Sequence, residues 1–133
     1  MNILSIGSKI TLRKISEEIV DKVESINFLD TTTNNFLNWG LSKTKKINYY
    51  SGDITKIDTL INAGLNDSDI IIVHSENDME SLFIAQKSKI NANSSIIVIL
   101  EDLSLAEIFE SFGFIIFDSH NLKITRLLNK LGN

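Results

Sequence analysis

The 133-residue sequence contains no cysteine and no proline. Without thiols it has neither disulfide staples nor thiolate metal sites, and two histidines, His74 and His120, do not by themselves furnish a zinc ligand set. The lack of proline removes any Pro-rich linker, and no low-complexity tract marks a boundary, so a single domain over residues 1–133 is expected. Long hydrophobic runs are missing too. Segments such as Ile70-Ile71-Ile72-Val73 fall well short of the roughly 18 to 20 apolar residues that cross a bilayer, and no basic-then-apolar leader opens the chain. A cytoplasmic protein without direct membrane insertion is expected. Positive charge is scarce, with 13 Lys and Arg against 17 Asp and Glu and a net charge of −4. Nucleic-acid binding needs clustered cations to displace counterions, so that class of partner is not expected. The one basic cluster, Lys43, Lys45 and Lys46, reads as a solvated loop before a strand.

What is present is a hydrophobic content of 43%, ample for one core, in an ordered pattern. Short β-branched runs at 2–6, 25–29, 47–50, 69–75, 95–100 and 114–117 read as strands. Between the first two, Leu12, Ile15, Ile19 and Val23 recur at three- and four-residue spacing, with Arg13, Lys14, Glu17 and Glu18 on the other side, as an amphipathic helix requires. Similar stripes occur at Ile57, Leu60 and Ile61, at Met79, Leu82 and Phe83, at Leu105, Ile108, Phe109 and Phe112, and at Ile124, Leu127, Leu128 and Leu131. A sixth helix is expected over 34–41, on weaker periodicity, ending near Gly40. Thr55 before Asp58, Ser75 before Asp78 and Ser104 before Glu107 have capping-box spacing, and Gly64 and Gly113 supply stops. Strand and helix in alternation predict an α/β fold, a doubly wound Rossmann-like sheet of six parallel strands in the order 3-2-1-4-5-6 with helices on both faces. A ligand is expected at the carboxyl ends of strands one and four, where the winding reverses.

From the third strand onward a set of local motifs accumulates. Gly52-Asp53-Ile54-Thr55 is followed by Ala63-Gly64-Leu65, then by Asp67-Ser68-Asp69 leading into the fourth strand, Ser75-Glu76-Asn77-Asp78 after it, and a helix from Leu105 that closes on Gly113. This series resembles the TrkA-N, or RCK N-terminal, family: its G-D-A-T turn, its A-G-I turn, its acidic lead into strand four and its T-x-x-D segment. The resemblance spans the whole chain. It implies a non-enzymatic regulatory domain that binds an adenine nucleotide (NAD or NADH, ATP, ADP or AMP) and controls a membrane potassium channel or transporter subunit. It implies cytoplasmic placement, peripheral to the membrane through that partner, and assembly as a homodimer or higher oligomer.

The same resemblance predicts a G-x-G-x-x-G turn after strand one, whose backbone cradles a pyrophosphate. Here the segment is Gly7-Ser8-Lys9-Ile10-Thr11-Leu12, which keeps the first glycine and places Lys9 and Leu12 at the other two positions. Lys9 either pairs with a phosphate at the helix N-terminus, or fills the place a pyrophosphate needs, or is an exposed loop lysine. Leu12 either forces the helix outward or is a core residue. Asp30, about twenty residues on, is placed to accept from a ribose diol and to disfavour a 2′-phosphate, or else starts the turn at Thr31. Asp53, with the amide of Ile54, is the implied adenine contact, and alternatively a cap. His74, Ser75 and Asp78 complete the candidate set after strand four. Two departures remove expected contacts to distal phosphates or nicotinamide: Ser81 stands where the family has asparagine, and Ile99 where it often has arginine.

Other chemistry finds little support. Asp118-Ser119-His120 holds triad residue types, but adjacent positions do not converge as nucleophile, base and orienter, so the segment reads as a cap. Neither a G-x-S-x-G elbow, a Walker A lysine nor an H-E-x-x-H pair occurs. His74 and His120 read as structural or surface residues. The alternative to a nucleotide sensor is a Rossmann-like dimerisation module that binds no nucleotide. For the last stripe, Ile124 to Leu131, the family implies intersubunit contact, while spacing alone is met equally by a helix covering the sheet.

Overall fold

Two apolar faces alternate along each central strand, and this periodicity makes the sheet a middle layer. The structure, a computed structural model, describes residues 1–41 and 46–131. Its strands are β1 (Asn2–Ile6), β2 (Ser25–Asp30), β3 (Ile47–Ser51), β4 (Ile70–Val73), β5 (Ser95–Leu100) and β6 (Ile115–Asp118), all parallel, in the order β3-β2-β1-β4-β5-β6. Ile70, Ile72, Ile97 and Ile99 point to one face, and Ile71, Val73, Ile96, Val98 and Leu100 to the other. The helices are α1 (Ile10–Ile19), α2 (Ile57–Asn62), α3 (Asp78–Asn91), α4 (Ala106–Ser111) and α5 (Ile124–Leu131). Buried Leu12, Ile15 and Ile19 of α1 and Leu127 and Leu131 of α5 join the first face; Leu60 of α2 and Leu82, Ile84 and Ala85 of α3 join the second. The stripe on α5 therefore covers the sheet through Leu127 and Leu131, both almost fully buried.

The expected class and strand order are those observed, but some local expectations are not. The segment expected as a helix over 34–41 makes only one 3-10 turn, Thr33–Phe36. Thr32 accepts the amide of Asn34, Asn35 turns its side chain back to Asp30, and Phe36 and Trp39 both enter the core. Short polar side chains that bond locally compete with helix propagation. Lys43 and Lys45 of the basic cluster lie outside the described residues.

The three expected capping boxes do not form either. Asn77 caps α3 by accepting from the amide of Glu80, two residues past Ser75, the cap expected from spacing. Thr55 and Ser104 are instead donors: each gives its amide and hydroxyl to an aspartate two residues earlier, Asp53 and Asp102. An ionised carboxylate accepts more strongly than a hydroxyl, so the acid captures the turn. The fourth strand is also shorter than 69–75. The amide of His74 still pairs with the carbonyl of Ile6, but that of Ser75 turns to Ser81 Oγ.

Candidate functional site

The winding reverses between β1 and β4, and the two strand ends close on each other at Gly7. Its amide donates to the Leu29 carbonyl at 2.8 Å, and its φ of 114° carries the chain over the end of β4. Ser8 then donates its hydroxyl to Asp30 Oδ2, which ties the loop to the end of β2. Lys9 occupies the N-cap of α1 in an extended conformation, with no side-chain cap. The amides of Ile10 and Thr11 are first-turn donors of the kind an α-helix leaves without an intrahelical acceptor. Leu12 points into the core and is fully buried, so the residue at the third glycine position does not obstruct the crevice.

Asp30 is 6% exposed. Its Oδ1 accepts from the Thr31 amide at 2.8 Å, and its Oδ2 from Asn35 Nδ2 at 3.0 Å as well as from Ser8. Three protein donors therefore surround the carboxylate expected to face a ribose. Asp53 differs. It is exposed at the end of β3, and Oδ1 alone takes both bonds from Thr55, at 2.6 Å from the hydroxyl and 3.0 Å from the amide. Among the described residues Oδ2 has no hydrogen-bond partner. The Thr55 hydroxyl, followed by the Thr55 amide, holds the Asp53 acid below its ordinary range. Gly52 packs against Thr59, and Ile54 is buried behind the turn.

Beyond β4 the side chains converge on a residue that no sequence motif marks. His74 is buried, and its Nε2 lies 2.9 Å from Glu101 Oε1 at the end of β5. Lys9 Nζ lies 3.7 Å from the same oxygen and also donates to the Glu76 carbonyl at 3.2 Å. Glu101 Oε2 accepts from the Ser119 hydroxyl at 2.6 Å and sits 3.1 Å from His120 Nε2. Loops after β1, β4 and β6 thus meet on one carboxylate, held at about 2 by the Ser119 hydroxyl first and His74 second. Since that carboxylate only accepts, Nε2 of His74 carries the proton, and the buried Nδ1 has no hydrogen-bond partner among the described residues. Asp78, expected to face a ligand, accepts the Glu101 and Asp102 amides at 2.8 and 2.9 Å and so positions Glu101. Ser75, also expected in the site, is held by Ser81 beneath it.

The structure brings Gly7, Ser8, Lys9, Asp30 and His74 into one connected network; Asp53 and Ile54 stand apart, at the end of β3. Glu101 and Ser119 are the members that sequence reasoning missed. The usable signal was position: both fall just past the carboxyl end of a strand, β5 or β6, on the side of the sheet where the crevice opens.

The pH dependence follows from two depressed groups. Burial, as the leading cause, holds His74 below the ordinary histidine value of 6.5, and Glu101 lies at about 2 against an ordinary 4.5. Each group binds protons less readily when folded, so its contribution is complete above the ordinary value and lost as pH falls. We expect the unfolding midpoint to decline once pH drops below about 6.5, with a further decline from 4.5 toward about 2. His74→Gln should flatten the upper limb in a pH series of thermal melts. A wild-type midpoint that rises between neutrality and pH 5 would contradict the assignment.

Comparison with known proteins agrees with this architecture. The chain resembles the GsuK channel bound to NAD, with a TM-score of 0.70 and 13% identity over 86% of this chain and 21% of that one. It resembles the crystal structure of the GsuK RCK domain to the same TM-score, at 14% identity over 86% of this chain and 25% of that one. A mutated uronate dehydrogenase shares the fold more distantly, with a TM-score of 0.53 and 12% identity over 74% of this chain and 38% of that one. The chain therefore spans a quarter or less of the length of the channel structures it matches. No curated protein sequence matches it. At these identities the structural likeness speaks for the fold alone, and the family assignment rests on sequence: the family model of the TrkA-N domain matches residues 10–120, from the start of α1 to His120. With the G-D-x-T turn and the 3-2-1-4-5-6 sheet in place, the chain belongs to the TrkA-N domain family.

Proposed function

We propose that the chain is a regulatory domain, on the cytoplasmic side of a membrane, that binds an adenine nucleotide in the switch-point crevice and controls a potassium channel or transporter subunit. It acts through ligand-dependent shape rather than turnover, and works as a homodimer or higher oligomer. Membership in the TrkA-N family is the observation that carries this reading. The GsuK channel, which shares the fold, is described as bound to NAD. Geometry adds support at Asp53, whose carboxylate is exposed, held in its ionised form and open at Oδ2, a suitable acceptor for an adenine amino group. Ile10 and Thr11 add amides at the start of α1. A second reading, an interaction module on the same scaffold without nucleotide, is favoured by one observation: the carboxylate of Asp30 is already filled by protein donors.

A thermal-shift panel of AMP, ADP, ATP, NAD, NADH, NADPH and cyclic dinucleotides separates the two. A ligand specific to the folded state at a hundred times Kd adds about 2.7 kcal/mol. For a domain of this size that raises the midpoint by roughly 10 °C. Asp53→Ala, which removes one charge-assisted hydrogen bond, should weaken the responding nucleotide about tenfold or more. No response to any nucleotide would refute the sensor reading and leave the module.

A further inference from the structure

We propose that Glu101 is a specificity-determining residue that fills the anion subsite of the crevice with the chain's own carboxylate, so that the site selects against ligands placing a diphosphate there. The inference rests on the nucleotide-binding reading and deepens it. An anion bound where β1 and β4 part would seek the cations and donors nearest the loop after β1. Besides the Ile10 and Thr11 amides, the side chains that could serve it are Lys9, His74, Ser119 and His120, and all four already converge on Glu101. Both carboxylate oxygens are engaged, Oε1 by His74 and Lys9 and Oε2 by Ser119 and His120. The backbone of Glu101 is fixed as well, because its own amide and that of Asp102 are gripped by Asp78. The carboxylate is therefore a built part of the crevice rather than a surface side chain resting on it.

Charge makes the arrangement selective. With its carboxyl held at about 2, Glu101 remains ionised throughout the neutral range. A diphosphate entering beside it meets a like charge, while the one strong cation of the loop, Lys9, is already facing that charge. Like charges brought close together repel, and more strongly where water is partly excluded. An uncharged adenosine moiety approaching Asp53 meets no such penalty. A carboxylate at the end of β5 thus sorts ligands by their phosphate content, a property that neither the glycine turn nor the G-D-x-T turn encodes.

Isothermal titration with inorganic pyrophosphate reads the anion subsite, and titration with adenosine reads the nucleoside end separately. Glu101→Gln keeps the shape and one acceptor but removes the charge. We expect it to tighten pyrophosphate at least tenfold near neutral pH and low ionic strength, and we expect Lys9→Met in that background to abolish the gain. An unchanged or weaker pyrophosphate affinity in folded Glu101→Gln overturns the proposal. Should that variant not fold, Lys9→Met in the wild-type chain decides. A pyrophosphate titration within twofold of wild type supports the proposal, because Lys9 is already taken; a tenfold weakening overturns it, because Lys9 was then free to hold phosphate. Loss of the adenosine response in the wild-type chain counts against the nucleotide reading alone, since pyrophosphate still reports on the subsite.

Discussion

Replacing Gly7 with alanine is expected to remove several kcal/mol of stability, enough to leave much of the chain unfolded at moderate temperature. A β-carbon at this position would lie 2.0 Å from the carbonyl oxygen of His74 and 2.8 Å from its carbonyl carbon. Both are backbone atoms at the end of β4, so no rotamer change relieves the contact. The backbone at Gly7 has a φ of 114°, a conformation that costs an L-residue roughly 1 to 3 kcal/mol. Displacing well-packed neighbours adds about 1 to 3 kcal/mol. The total is a large part of the roughly 5 to 15 kcal/mol that holds a domain together. Gly40→Ala is the matched control: its φ is 72°, but among the described residues nothing lies within 4 Å of the added carbon, so the conformational cost dominates. Denaturant unfolding of the two variants should differ by about 2 kcal/mol or more. A Gly7→Ala variant as stable as Gly40→Ala would show that the strand ends are not in contact as described.

This clash changes what the first glycine of the loop means. Gly7 is required by the approach of two strand ends, with or without a ligand, so its presence alone says nothing about nucleotide binding. Lys9 and Leu12 carry more information. Leu12 turned inward to the core, while Lys9 reached across the crevice to Glu101 and the Glu76 carbonyl.

Strand order and layering were legible because they depend on apolar periodicity, and a run such as Ile96 to Leu100 has one plausible home, a strand buried on both faces. Side-chain pairing in the crevice was not legible. Whether Asp30 faces a ribose or its own loop depends on Ser8 and Asn35 lying within hydrogen-bonding distance, a fact of tertiary geometry with no local sequence signal. Turn chemistry was legible in part: the cap readings of Asp53 and of Asp118-Ser119-His120 hold, while the capping boxes do not. Asp53 with Thr55, Asp102 with Ser104 and Asp118 with His120 repeat one device after β3, β5 and β6, an aspartate that accepts the amide two residues on. Spacing of two marks such a turn, whereas the capping-box reading looked for three.

The missing sixth helix leads to the second large effect, at Phe28 in the middle of β2. Phe28 is fully buried, and its ring centroid lies 5.8 Å from Phe36, 5.2 Å from Trp39 and 5.4 Å from Tyr49. Phe36 and Trp39, three residues apart and edge to face, come from the connection after β2, which therefore adheres to the sheet by its aromatic rings rather than by a helical face. Tyr49 closes the group from β3 and donates its hydroxyl to the Leu41 carbonyl at 2.6 Å. Phe28→Ala removes the ring all three others touch, and a fully buried Phe→Ala change costs about 3 to 5 kcal/mol. The loss should not stay local. Asn35 on the same connection holds Asp30, and Asp30 holds Ser8 of the loop over the crevice, so loosening the rings releases one end of that chain of hydrogen bonds. Trp39 is the only tryptophan in the sequence and is 6% exposed, so its emission reports on the group directly. A red-shifted native spectrum together with an unfolding free energy lowered by about 3 kcal/mol or more is the expected result. An unshifted spectrum with a loss below about 1 kcal/mol would mean that the rings are not packed on one another.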